Sequence, residues 1–181
     1  SGTYRTCDVV GIDTMAHVIK TLQVGCASDP FAAAFATPSD VQALLDKGNF
    51  GQKTKAGFFK KDGKVITQFD EKTGNYVPAG NKADKDVTDI LKKPAAERLK
   101  ALRESSNPQA QFIWAMLRNS FHYAAVTVES IADTCRDLDL ALRWGYGMKH
   151  GPFEIWPEAG WKHVAEWVKA DIDAGKAITN T

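Results

Sequence analysis

Residues 107–128, NPQAQFIWAMLRNSFHYAAVTV, carry the longest stretch of helical apolar periodicity in the chain. The apolar positions on the predicted inward face are Phe112, Ile113, Met116, Leu117, Phe121, Ala124, Ala125 and Val128. This spacing predicts an amphipathic helix of about six turns. Asn107 is a good N-cap and Pro108 suits the first helical position, so both mark its start. We expect this helix to be the central one of its unit.

The segment that follows predicts three shorter helices. Asp133 and Thr134 are expected to cap the first, which turns Leu138, Ala141 and Leu142 inward and closes at Gly145 or Gly147. A second helix is predicted over 153–159. The last helix is expected to bury Trp161, Val164, Ala165, Val168 and Ile172, and the tail after Gly175 is expected to fray.

The N-terminal half predicts helices and a small antiparallel sheet. The apolar pattern predicts a helix over 12–24, and Thr37-Pro38 is expected to cap and begin a second helix that stops near Gly48. Asp62-Gly63 between two β-prone runs predicts a hairpin within about 56–77, which a third strand extends into a meander. Residues 78–86 are expected to form a linker. A helical pattern follows and is interrupted at Pro94.

Composition excludes several classes of protein. The chain has 181 residues, of which 44% are hydrophobic and 25% charged, and this balance is typical of an ordinary folded protein. The formal net charge of +1 lacks the excess of Lys and Arg that nucleic-acid binders carry. No apolar run is long enough to span a membrane. Three widely spaced cysteines, Cys7, Cys26 and Cys135, form no metal or disulfide pattern, which favours a cytoplasmic location.

A weak internal repeat appears at an offset of 149 residues. It aligns Tyr4 with Phe153 and Gly11 with Gly160. The residues after each glycine also correspond, pairing Met15 with Val164 and Ile19 with Val168. Both stretches therefore read as an aromatic residue, a short segment, a glycine and an amphipathic helix. On this repeat the first copy lacks the long helix and glycine-rich loop that precede Phe153 in the second, and we expect the chain to be a fragment of a longer protein.

Two sets of residues resemble one known family. The first set is Asp8-Val-Val-Gly-Ile-Asp-Thr14 followed by Phe50-Gly-Gln-Lys-Thr-Lys-Ala-Gly-Phe-Phe59. The second is Asp137-Leu-Asp-Leu-Ala-Leu-Arg-Trp-Gly-Tyr-Gly147 followed by Gly151-Pro-Phe-Glu-Ile-Trp156. In this order they resemble the C-terminal domain of L-3-hydroxyacyl-CoA dehydrogenases, in tandem, as in multifunctional fatty-acid oxidation enzymes.

The resemblance implies a mostly α fold: a helical 6-phosphogluconate-dehydrogenase-C-like domain in two copies, with an accessory β-hairpin or meander. We expect a first copy at 1–82 without its front half, linking helices at 83–106 and a second copy at 107–181. It further implies an oxidoreductase of fatty-acid β-oxidation that uses NAD and acyl-CoA, has its own N-terminal NAD-binding domain and forms a homo-oligomer. In that setting the chain completes the acyl-CoA site and mediates domain or subunit packing.

The resemblance places no catalytic, cofactor-binding or metal residue in this chain, because the family's His base, its Glu partner and the GxGxxG loop lie in the NAD-binding domain. The fragment alone is therefore predicted to be inactive. Its family-motif positions are expected to be mainly structural or interfacial: Asp8, Gly11, Lys53, Thr54, Gly57, Phe58, Gly145, Gly147, Gly151, Pro152 and Phe153. The family's substrate-contacting Asn is matched in the second copy by Trp114.

Several residues leave alternatives open. Lys149 and His150 either bind a carboxylate or phosphate, with His150 able to act as a base, or form only a helix connection. The Lys53-Thr54-Lys55 run is either a phosphate loop or, as the missing second Gly favours, a turn under the hairpin. The tryptophans of the second copy suit either a CoA platform or core packing. The alternative function for the whole chain is a non-catalytic helical interaction scaffold.

Overall fold

A computed structural model describes residues 2–80 and 82–181, and the chain divides into two compact units. Unit 1 comprises Ser1–Asn81 and unit 2 comprises Lys82–Thr181. The fold is mostly helical with one small antiparallel sheet, as predicted. Within the described ranges, no helix is both long and apolar enough to cross a membrane.

Unit 1 contains three helices and a three-stranded meander. The helices are α1 (Thr3–Val10), α2 (Ile12–Gly25) and α3 (Ser39–Asp46). The strands are β1 (Phe59–Asp62), β2 (Val65–Asp70) and β3 (Asn75–Pro78), paired antiparallel in that order. Asp62 pairs with Val65 across the predicted two-residue turn. The helix over 12–24 and the hairpin are therefore confirmed.

The core of unit 1 forms where α2 and α3 meet the start of the sheet. Ile12, Val41, Leu44 and Phe58 are buried there, at 6% exposure or less. The predicted start of the second helix was wrong by one residue, because Pro38 with extended backbone is the N-cap and Thr37 makes no cap. Helix α1 was not predicted, since Thr3–Val10 is too short for a clear helical period and its one buried residue is the polar Asp8.

Unit 2 contains six helices within its described residues. They are α4 (Lys85–Leu91), α5 (Ala95–Glu104), α6 (Pro108–Ile131), α7 (Cys135–Tyr146), α8 (Pro152–Glu158) and α9 (Trp161–Asp173). The predicted break at Pro94 is present, and Asn107 caps α6 by accepting a hydrogen bond from the Gln109 N–H at 2.8 Å. The linker predicted over 78–86 ends earlier, because α4 begins at Lys85; Asn81 lies outside the described residues.

The core of unit 2 surrounds α6 and includes α4 and α5. Val87 and Leu102 are buried against Ala110 and Trp114. A second cluster joins Leu99 of α5 and Phe121 of α6 to Val164 and Val168 of α9. The structure thus groups the expected linking helices with unit 2. Hydrophobic burial across these faces stabilises the unit by about 25 cal/mol per Å² of apolar area.

The predicted inward face of α6 was partly wrong. Phe112 and Met116 are 65% and 54% exposed, whereas Trp114 and the polar Arg118 and His122 are buried. The helix is apolar on several sides, and α5, α9 and the C-terminal tail cover the side that carries Trp114 and Arg118. In α9, the predicted burial of Trp161 was also wrong, because this residue at the first helical position is 60% exposed.

The predicted fraying of the tail after Gly175 was wrong as well. The Lys176 N–H donates to the Asp171 carbonyl at 2.9 Å, and Arg118 donates to the Lys176 carbonyl at 2.7 Å. Further along, His122 Nε2 lies 2.7 Å from the Thr181 carbonyl oxygen. Polar side chains of α6 therefore hold the tail against the helix.

Candidate functional site

The motif residues of unit 1 meet at the buried carboxylate of Asp8. The Phe58 N–H donates to Asp8 Oδ1 at 2.7 Å, and the Phe59 N–H donates to Asp8 Oδ2 at 2.8 Å. Hydrogen bonds from main-chain N–H groups to an ionised carboxylate are among the stronger ones in proteins. Tyr4 of α1 adds a ring contact with Phe58 at 4.4 Å between centroids. Asp8 thus ties α1 to the first strand, and we call this arrangement the Asp8 knot.

Two glycines let the backbone close around Asp8. A Cβ at Gly57 would overlap the Asp8 carboxylate and lie 2.6 Å from the Gly51 Cα. A Cβ at Gly51 would overlap the Asp8 backbone, and its φ of 102° also favours glycine. Tyr76 of β3 donates to the Gly57 carbonyl at 2.6 Å, which fixes the same segment from the sheet side. The glycines of the motif therefore serve close packing.

Thr54 and Lys53 stabilise the turn that leads into the knot. The Phe50 N–H donates to Thr54 Oγ1 at 2.8 Å, and that hydroxyl lies 2.9 Å from the Ala56 carbonyl. Lys53 forms an ion pair with Asp13 at 2.6 Å, beside Gly11 at the α1–α2 corner. This ion pair is the leading cause that lowers the pKa of Asp13. The run that resembled a phosphate loop forms an exposed 3₁₀ turn, Gln52–Thr54, which contacts α1.

The motif residues of unit 2 meet at a second buried carboxylate, Asp139. The Phe153 N–H donates to Asp139 Oδ1 at 3.1 Å, and a Cβ at Gly151 would overlap the same side chain. Burial raises the pKa of Asp139, and the Phe153 N–H opposes this change. A buried aspartate against a glycine and a Phe N–H thus recurs in both units. The repeat does not align these two aspartates, since Pro157 stands opposite Asp8 at the offset of 149.

The remaining motif positions of unit 2 shape the ends of α7 and α8. Gly147 closes α7 in the left-handed conformation, whereas Gly145 lies in open space within the helix. Pro152 is buried at the first position of α8. Glu154 accepts from the Gly151 N–H at 2.9 Å, which lowers its pKa, and pairs with Arg143 at 2.8 Å.

Sequence reasoning missed a buried polar cluster in unit 2. The Trp114 indole N–H donates to Asp171 Oδ2 at 2.8 Å, and Arg118 lies 3.3 Å from the same oxygen. Arg103 approaches the other oxygen at 3.6 Å. Trp114, the position that the resemblance matches to a substrate-contacting Asn, is 2% exposed and belongs to the core. The only sequence signal was two arginines and an aspartate near predicted apolar faces.

The remaining candidate residues take no part in the two motif clusters around Asp8 and Asp139. Burial raises the pKa of the Cys7 thiol, which lies 3.0 Å from Met15 Sδ. No three His, Cys, Asp or Glu side chains within the described residues are grouped as metal ligands. His150 lines an apolar cavity beside α7, and Trp144 is 80% exposed at the end of that helix.

Comparisons with known proteins bear on these motifs. Residues 1–61, which contain the Asp8 knot, match the family model for the 3-hydroxyacyl-CoA dehydrogenase C-terminal domain. A "Probable 3-hydroxyacyl-CoA dehydrogenase" of Bacillus subtilis (strain 168) is 33% identical over 196 residues, covering 97% of this chain and 24% of that protein. A "Putative fatty acid oxidation complex trifunctional enzyme" of Rickettsia felis is 24% identical over 172 residues, covering 91% of this chain and 22% of that protein.

The chain spans about a quarter of the length of these two curated relatives. No solved structure matches it significantly. The family match ends at residue 61, just inside β1, so it covers α1 to α3 and the whole segment that donates hydrogen bonds to Asp8. In residues 1–61 the chain is a C-terminal domain of the 3-hydroxyacyl-CoA dehydrogenase family.

Proposed function

We propose that this chain is the C-terminal region of an NAD-dependent 3-hydroxyacyl-CoA dehydrogenase of cytoplasmic fatty-acid β-oxidation. In this proposal it completes the acyl-CoA site and packs against the rest of the longer protein. The Asp8 knot carries the proposal, because the residues that match the family are the ones that build it. The names of both relatives support the reaction class.

The described residues do not fit an NAD site. A dinucleotide fold needs parallel strands and a glycine-rich loop that presents a helix N-terminus to the pyrophosphate. The strands described here form one antiparallel meander, and its turns are at Gly63 and Gly74. We therefore assign NAD to another part of the longer protein and derive no step through it here.

Two copies of one motif support the packing role. In unit 1, α1 and α2 are joined by Gly11 at φ 107°, and in unit 2, α8 and α9 are joined by Gly160 at φ 82°. Both glycines occupy equivalent positions at the offset of 149. We propose that unit 1 is the back half of one domain copy and that α6 to α9 form the second copy.

The two copies differ in what covers them. In unit 2, Ala159 and Trp167 pack against the Phe121 cluster of α6. The equivalent residues of unit 1, Val10 and Val18, are 56% and 54% exposed. An apolar helix face of this kind is normally buried. We propose that a long helix from the rest of the protein covers the α1–α2 face as α6 covers the α8–α9 face.

Reduction of NAD by a 3-hydroxyacyl-CoA, followed at the NADH absorbance, tests the reaction. We expect the longer protein that contains this chain to be active and the 181-residue chain alone to be inactive. Turnover by the chain alone would overturn the assignment of the base and NAD site elsewhere. An inactive longer protein would instead favour the interaction scaffold, which the exposed α1–α2 face also suits.

The packing role is tested by a matched pair of variants. Val18→Glu places a charge on the proposed interface, whereas Val65→Glu places one on the hairpin at a similar exposure, 53%. In the longer protein we expect Val18→Glu to lower the Tm and Val65→Glu to leave it unchanged. In the chain alone both variants are expected to behave alike. Equal Tm values for both variants in the longer protein would overturn the proposed interface.

A further inference from the structure

Unit 1 contains a small cavity that the dehydrogenase assignment does not use. It measures about 140 Å³ and lies where α1, the start of α3 and the first two strands meet. This volume is below the range of sites for drug-sized ligands, so only a small group fits. Four of the lining residues are aromatic, and we call the site the aromatic cavity: Tyr4, Phe58, Phe59 and Phe69.

The aromatic walls favour a positively charged occupant. Tyr4 of α1 contacts Phe58, and the Phe69 N–H donates to the Phe58 carbonyl at 2.8 Å, which holds β2 beside the start of β1. The face of an aromatic ring carries negative charge density and attracts a cation within about 6 Å of its centre. The Arg5 guanidinium already lies over the Phe59 ring at 5.1 Å, but Arg5 lines a neighbouring cavity and not this one.

Two carboxylates line the same cavity. Asp40 lies in the first turn of α3 and accepts a hydrogen bond from the Val41 N–H at 2.8 Å. Glu71 follows β2 and accepts from the Ser39 hydroxyl. Neither carboxylate forms an ion pair with any described residue. Burial raises the pKa of the Tyr4 hydroxyl, and the charges of Asp40 and Glu71 are among those that raise it further, so both act on the cavity wall.

We propose that the aromatic cavity binds a small organic cation with an alkylated ammonium head, its alkyl groups against the rings and its charge beside Asp40 and Glu71. Aromatic rings and carboxylates together suit such a head, because the rings pack against the alkyl groups and both attract the charge. A hard metal ion is disfavoured, since the rings supply no oxygen ligands. The site is contained within unit 1 and does not depend on hydride transfer.

Titration of the 181-residue chain with choline at constant ionic strength tests the site, followed by NMR at the amides of Phe58, Phe59 and Phe69. The neutral analogue 3,3-dimethylbutanol has nearly the same shape as choline and lacks its charge. We expect the analogue to bind about tenfold more weakly, the scale of a cation–π contact and an ion pair together. Equal affinities would overturn the cationic ligand. Absence of choline binding would overturn the site and assign the two carboxylates to the start of α3 alone.

The carboxylates are tested with matched variants. Asp40→Asn and Glu71→Gln each remove a charge and keep an oxygen that accepts the local hydrogen bond. Each is expected to weaken choline binding roughly threefold, the scale of an exposed ion pair, and to leave 3,3-dimethylbutanol binding unchanged. Asp46→Asn, on α3 but outside the cavity, is the control and is expected to leave both affinities unchanged. Equal losses for Asp40→Asn and Asp46→Asn would overturn the proposed position of the charge.

The ring contact is tested at Tyr4. Tyr4→Phe keeps the ring and is expected to leave choline affinity unchanged, whereas Tyr4→Leu removes the ring and is expected to weaken binding about fivefold. Because Tyr4 contacts Phe58, circular dichroism melts show whether each variant folds. A folded Tyr4→Leu variant that binds choline as tightly as the original chain would overturn the cation–π contact. If Tyr4→Leu does not fold, the variants of the carboxylates still decide the proposal.

The form of the head group is tested with n-butylammonium, which carries a primary ammonium group like that of a lysine side chain. We expect choline to bind more tightly, because its methyl groups cover more of the ring surface. Tighter binding of n-butylammonium would overturn the alkylated head and indicate a lysine side chain of a partner protein as the occupant.

Discussion

Gly57 lies so close to the Asp8 carboxylate that no side chain fits between them. A Cβ at the same glycine would also lie 2.6 Å from the Gly51 Cα. The contact explains why a glycine stands at this motif position in physical terms. A single methyl group added at Gly57 is therefore expected to disturb the packing around Asp8.

Gly57→Ala is therefore expected to destabilise the chain by about 2 kcal/mol or more, because the added Cβ overlaps buried atoms. Gly25→Ala is the control, since a Cβ there meets nothing within 4 Å and the residue ends α2. That control is expected to be neutral or to stabilise by up to about 1 kcal/mol. Urea denaturation measures both. A small loss of unfolding free energy for Gly57→Ala would contradict the prediction, because it would mean that the backbone around Asp8 can shift to admit the added Cβ at little cost.

Asp8→Asn is expected to release one of the two N–H groups that the carboxylate holds, at a cost of about 1–3 kcal/mol. The amide keeps one acceptor oxygen and presents a donor in place of the other. Amide hydrogen exchange at Phe58 and Phe59 reports this directly, and faster exchange is expected there than at β2–β3 pairs. Unchanged protection at both amides would contradict the knot.

Asp139→Asn is expected to change the pH dependence of stability. Burial raises the native pKa of Asp139 above its ordinary 3.8, so the native state binds the proton more tightly than the unfolded chain. Stability is therefore lost as pH rises from that ordinary value through the raised native pKa. Asparagine does not titrate, so the variant does not lose this stability. The difference in unfolding free energy, variant minus original chain, should therefore increase as the pH rises. A difference that stays constant with pH would contradict the prediction.

Asp171→Asn is expected to cost about 3 kcal/mol, because it leaves the buried Arg118 without its ion pair. Asp173→Asn, two residues along the same helix, is the control. The Asp173 side chain is 63% exposed and pairs with Lys169 alone among the described residues, so its loss is expected to cost about 0.5 kcal/mol. Thermal melts at neutral pH compare the two. Equal costs would mean that the buried cluster contributes no more than a surface pair.

Periodicity and turn chemistry predicted most of the helices and the hairpin, because α2, α6 and the Asp62-Gly63 turn carry strong local signals. Helix α1 escaped this reasoning, since it is only eight residues long and its buried residue, Asp8, is held by hydrogen bonds from residues about 50 positions away. The buried face of α6 escaped it too. A helix with apolar residues on several sides does not specify which side its neighbours will cover.

The candidate site was predictable only in part. The motif residues around Asp8 were identified by resemblance, and the structure supplies the reason for their grouping. The Asp139 contact and the Trp114–Asp171 pair could not be predicted, because each depends on how two helices pack, which local sequence patterns do not specify. Burial of a charged side chain depends on partners that only the fold brings together.

The bond between Asp8 and Phe58 also bears on how unit 1 folds, since it joins residues 50 positions apart. Closing a long loop costs chain entropy before the contact forms, and such contacts slow folding. The β-hairpin, whose partners are close in sequence, has no such delay. We therefore expect α1 to be the last element of unit 1 to become ordered during folding and the first to detach when the protein is stressed.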